Sequence, residues 1–75
     1  MDIKIQVGLR IKELRKELGL TQEALAFKAD MDKTYVNEVE NGKRNVSLIN
    51  LEKLILALNV NFEEFFKHLP NKNIN

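Results

Sequence analysis

Between Gly19 and Ser47 the sequence leaves room only for two very short helices joined by a tight turn. Helices of about eight residues are marginal in water by themselves, so both must pack crosswise on a scaffold. Thr21 is placed to accept from the first free backbone N–H groups of one helix, residues 22–28, whose Leu25, Ala26 and Ala29 form a small inner face. The stretch Ala29-Asp30-Met31-Asp32 breaks it, and Asp32 caps a second helix that ends near residue 40, with Val36 and Val39 turned inward.

The flanking segments supply the scaffold. Val7, Ile11, Leu14 and Leu18 recur at helical spacing, with Arg10, Lys12, Glu13, Lys16 and Glu17 off the stripe, which predicts a helix over residues 5–18. Gly19 is a left-handed C-cap, and Leu20 folds back on the helix end. After the loop 41–45, Ser47 caps a fourth helix with Leu48, Leu51, Leu54, Ile55 and Leu58 on one side. Asn61 and Glu64 have capping-box spacing for a fifth, residues 62–69, which Pro70 ends. No strand alternation occurs. The expected fold is all-α: one compact five-helix domain, residues 1–69, built around a helix-turn-helix, with a flexible tail at 70–75.

Composition removes most alternatives. A chain of 75 residues holds one domain, and without cysteine it has no disulfide framework or thiolate metal site. Its N-terminus, Met1-Asp2-Ile3-Lys4, is unlike a signal peptide, and its longest apolar run, residues 54–58, is too short to span a bilayer, so a soluble cytoplasmic protein without a membrane partner is expected. Catalysis lacks parts: His68 stands alone, Ser47 is a helix cap, and Glu63 and Glu64 would point about 100° apart on a helix. The expectation is therefore no enzyme, no metal, no cofactor and no small-molecule ligand.

With Val36 and Val39 inward, Lys33, Thr34, Asn37, Glu38 and Asn41 line the outer face of the third helix. Their chemistry suits base edges in a major groove. Lysine donates to guanine, asparagine pairs bidentately with adenine, glutamate accepts from cytosine, and threonine offers a methyl group to thymine.

From about Val7 to Phe66 the chain resembles the phage repressor and Cro-like (lambda-repressor-like, XRE-type) helix-turn-helix family. The matching blocks are Gly8-Leu9-Arg10-Ile11-Lys12-Glu13-Leu14-Arg15, Gly19-Leu20-Thr21-Gln22-Glu23-Ala24-Leu25-Ala26, a block from Tyr35 to Arg44 and one from Leu51 to Val60. Within the family, the run from Thr34 to Ser47 looks most like restriction–modification controller proteins, small homodimeric regulators of their own operon. The resemblance implies that Lys33, Thr34, Asn37 and Glu38 read bases. It implies that Gln22, Lys43, Arg44 and Asn45, with Arg10 and Tyr35 as further contacts, meet phosphates. Arg15 and Glu40 match a structural ion pair, and Asp30 departs from the glycine usual in the tight turn. The implied partners are a double-stranded DNA operator, a second copy of the chain, and RNA polymerase at the promoter.

Lys plus Arg number 12 against 11 acids, and residues 1–44 hold nine against eight, so any basic surface must be local. Phe62, Phe65, Phe66 and Leu69 are heavy apolar content for a short last helix. Two-fold pairing through them and Leu58 would set two recognition helices about 34–36 Å apart, one helical turn of DNA. The competing readings are another small repressor of the same family and an antitoxin-type protein-interaction module.

Overall fold

A computed structural model describes residues 2–70 and contains five α-helices: α1 Ile3–Glu17, α2 Gln22–Lys28, α3 Lys33–Glu40, α4 Leu48–Ala57 and α5 Phe62–Lys67. The all-α, five-helix expectation holds. Each helix begins where a short polar side chain can take up an orphan N–H: Asp2, Thr21, Asp32, Ser47 and Asn61 each accept from an amide two or three residues on.

The first four helices also share one ending. Gly19, Asp30, Gly42 and Asn59 all have positive φ, at 71°, 57°, 73° and 65°. The next amide in each case reaches back to a carbonyl of the helix just closed: Leu20 to Arg15, Met31 to Ala26, Lys43 to Glu38 and Val60 to Ile55. These are Schellman closures, and each turns the chain sharply enough for the next helix to cross the last. Asp30 fills the left-handed position of the tight turn in place of glycine, which Asp and Asn tolerate better than other residues with a Cβ.

Val7, Ile11 and Leu14 of α1, Leu25 and Ala26 of α2, Val36 and Val39 of α3, four residues of α4 with its cap Leu58, and Phe65 of α5 enclose one core. The small Ala26 and Ala29 let α2 lie close against its neighbours. An even tighter approach is made at Gly8, where a Cβ would collide with the Val39 carbonyl oxygen and lie 2.8 Å from that of Glu40. Glycine here lets α1 touch the C-terminal end of α3, which sets the depth at which α3 is seated.

Several boundaries differ from the sequence reading. Helix α1 starts at Ile3 rather than Ile5 because Asp2 accepts from the Lys4 amide at 2.8 Å. Leu18 is its C-cap and stands 43% exposed, off the apolar stripe. Leu48 is 79% exposed because it opens the first turn of α4, beyond the reach of the core. Helix α5 closes at Lys67, not Leu69: Pro70 disfavours the helical conformation for the residue before it. Leu69 still packs against the core. Pro70, read as the start of a tail, is half-buried and its carbonyl accepts from Gln6 Nε2 at 2.9 Å; residues 71–75 lie outside the described residues. No helix among the described residues is long and apolar enough to cross a membrane.

Gly8→Ala should lower stability by about 1–3 kcal/mol, since the obstacles are backbone carbonyls that cannot swing aside. Urea denaturation of the variant against the parent chain reads this directly, and an unchanged midpoint would refute the tight approach.

Candidate nucleic-acid interface

Helix α3 owes its exposed position to the turn before it. Asp32 Oδ1 accepts from the Thr34 amide at 2.8 Å and fixes the helix start, while Val36 and Val39 anchor its inner side. Lys33, Thr34, Asn37 and Asn41 are exposed on the outer side and Glu38 is half-buried beside them.

Behind this face lies a buried ion pair. Arg15 and Glu40 are both buried, with Nε 2.6 Å from Oε2 and Nη2 3.0 Å from Oε1. Arg15 Nη1 donates to the Leu20 carbonyl at 2.7 Å, so one guanidinium ties α1 to α3 and to the α1–α2 turn. Gln22 Nε2 also donates to Glu40 Oε1, at 3.0 Å, and Gln22 Oε1 accepts from Asn37 Nδ2 at 3.2 Å. Asn41 Nδ2 then donates to Asn37 Oδ1 at 3.3 Å. A continuous chain of polar groups runs from the core to the outer face. Gln22, expected at a phosphate, is half-buried with both ends of its amide engaged in this chain, a link that no local pattern signals.

The flank of α3 nearest α4 carries a second cluster. Arg44, in the loop after α3, lies over the Tyr35 ring at 4.7 Å, and its Nε is 3.0 Å from Glu38 Oε1. Tyr35 is itself held, its hydroxyl accepting from Asn50 Nδ2 at 3.2 Å. Lys43 and Asn45, either side of Arg44, are exposed.

Two groups of expected site residues are placed elsewhere. Arg10, expected to reach a phosphate, is 4% exposed. Its Nε and Nη2 donate to the Phe65 and Glu64 carbonyls at 2.8 and 2.9 Å, and its Nη1 to Glu13 at 2.9 Å, so it ties α1 to α5 inside the protein. A signal was present: position 10 lies three after Val7 and four before Leu14, on the buried face. Leu58 and Phe65, expected at a dimer interface, are 1% and 0% exposed within one chain and have no surface to offer a second. Phe62 and Phe66 do, at 40% and 38% exposed, with ring centroids 6.4 Å apart. Sequence reading missed the exposed Phe27 at the end of α2 and Ile49 and Leu56 on α4.

Comparison with known proteins places the fold. The helix-turn-helix family profile matches residues 11–65. The control protein C.MunI of a Mycoplasma species is 49% identical over 72 residues, covering 95% of this chain and 97% of that one. The restriction–modification controller protein C.AhdI of Aeromonas hydrophila superposes with a TM-score of 0.81 at 48% identity, covering 84% of this chain and 96% of that chain. The C.Esp1396I tetramer, solved in complex with its natural 35 base-pair operator, superposes at 0.84 with 36% identity over 89% of this chain and 88% of that chain.

Glu40→Ala would strand the buried Arg15 charge and should cost about 3–5 kcal/mol. Equilibrium urea unfolding checks this; a loss below about 1 kcal/mol, typical of a surface pair, would contradict it.

Proposed function

The chain belongs to the helix-turn-helix family, and from that premise we propose that it is a restriction–modification controller protein, a sequence-specific regulator that binds operator DNA and controls its own operon. The observation that carries this reading is the outer face of α3, a row of hydrogen-bonding side chains anchored from beneath by a buried ion pair. An interaction module has no need of such a row.

In this reading Lys33, Thr34 and Asn37 meet base edges in the major groove, and Lys43 and Asn45 approach the adjoining phosphates. The protein acts as a homodimer on a pseudo-palindromic operator. Phe62 and Phe66 support the dimer, since an exposed pair of phenylalanines one turn apart favours burial against a two-fold copy. Residues 1–69 serve as one unit for DNA binding and dimerisation, in the cytoplasm. The signal is the concentration of the protein itself, through dimerisation and operator occupancy, without cofactor or small-molecule ligand. Position relative to the promoter sets whether RNA polymerase is blocked or assisted. The protein binds and does no chemistry.

Selection from a random duplex library at about 150 mM salt should recover an inverted repeat bound by two or more chains. Enrichment of nothing by a folded, dimeric protein would move the reading to a protein-interaction module. Phe62→Glu together with Phe66→Glu should leave the helical content intact, shift sedimentation to monomer and weaken operator binding by about tenfold or more, since a lone chain holds half the phosphate contacts. A double variant that remained dimeric would rule out this face as the interface.

A further inference from the structure

Resting on the DNA-binding reading above, the geometry points to Arg44 as a reader of a base edge, with Glu38 and Tyr35 as its positioning residues, in place of a phosphate contact at Arg44 and a base contact at Glu38. The two side chains are each about half exposed, 49% for Arg44 and 40% for Glu38, and lie on the flank of the recognition helix. The loop after α3 doubles back so that Arg44 returns beside Tyr35 and Glu38, residues one turn apart on α3.

Three features favour a base over a phosphate. The first is charge. A carboxylate 3.0 Å from the guanidinium cancels most of its net charge, and an incoming phosphate would meet the Glu38 charge as well as the Arg44 one. A base edge carries no net charge and asks only for directed donors. The second is order. A guanidinium held by a carboxylate on one side and laid over an aromatic ring at 4.7 Å has already given up much of its rotamer freedom. The ring is itself tethered, because Asn50 of α4 donates to the Tyr35 hydroxyl at 3.2 Å. The third is what remains unspent. Glu38 engages Arg44 at Nε, which leaves the two Nη groups, and the arginine fork matches O6 and N7 of guanine. Glu38, by the same pairing, has its charge committed to Arg44 and is poorly placed to accept from a cytosine of its own.

The test is a selection from a random duplex library with the parent chain, Arg44→Lys and Glu38→Ala, followed by the salt dependence of binding to the selected duplex for the parent, Arg44→Ala and Glu38→Ala. Lysine keeps the charge and loses the fork; alanine at 38 removes the support. Both variants should lose preference at the same base-pair position, by about tenfold or more at that position. Arg44→Ala should leave the slope of log affinity against log salt unchanged, and Glu38→Ala should steepen it by about 0.9 as an uncompensated Arg44 reaches a phosphate. The assignment is overturned if Arg44→Lys keeps every preference, if the two variants lose different positions, or if Arg44→Ala flattens the slope by about 0.9. A parent chain that enriches no sequence would overturn the DNA-binding reading as well, so the two failures are distinguishable. Circular dichroism checks that each variant is folded, as expected for half-exposed side chains outside the core.

Discussion

The placement of α3 depends on one buried contact, the bidentate pair of Arg15 with Glu40. Charges taken out of water are tolerated only when nearly every hydrogen-bonding position is filled, and here Arg15 is filled by two carboxylate oxygens and the Leu20 carbonyl. That requirement is geometric. A shift of α3 along or about its axis would break one arm of the fork, so the pair fixes the helix in depth and rotation together. Gly8 works in the same place from the packing side, because contact between α1 and the last carbonyls of α3 leaves no space for adjustment.

From this anchor the polarity of the outer face follows. A carboxylate only accepts, so the Gln22 amide must turn its NH2 to Glu40 and its oxygen to Asn37. Asn37 is then obliged to donate to Gln22 and to accept from Asn41. It keeps one Nδ2 hydrogen and one lone pair on Oδ1, a donor and an acceptor of the kind that would match the N7 acceptor and N6 amino donor of an adenine. Short helices at the surface are ordinarily free to present either edge of an asparagine amide; this one is committed by a charge buried two side chains away.

Much of the scaffold was legible because it is written in local chemistry. Thr21, Asp32, Ser47 and Asn61 each stand where a free amide needs an acceptor, and the helices they open begin at the next residue. Asp2 caps by the same rule, but it precedes the first core residue, Val7, by more than a turn, so the stripe gave it no prominence. What was not legible depends on distant partners. Arg10 is buried only because the Glu64 and Phe65 carbonyls, more than fifty residues away in sequence, arrive to receive it. Phe65 sinks into the core while Phe62 and Phe66 do not, a choice made by how α5 lies across α1 and α4 and not by composition. The return of Arg44 to Glu38 needs the left-handed turn at Gly42, where sequence reading saw only a loop over residues 41–45 and not its direction.

These placements bear on the near-neutral charge of the chain. It has three arginines, Arg10, Arg15 and Arg44, and all three are paired with acids of the same chain. Arginine is ordinarily the strongest phosphate ligand a protein has, being weakly hydrated and forked. Here two of the three are spent on seating helices, and the third is paired with Glu38 beside the outer face of α3. Lys33 and Lys43, exposed on α3 and in the loop after it, are compact, strongly hydrated point charges without the arginine fork. With so little net charge to work with, the distinctive feature of the outer face is that its donors and acceptors are fixed in advance, as the chain of contacts from Glu40 to Asn37 fixes them.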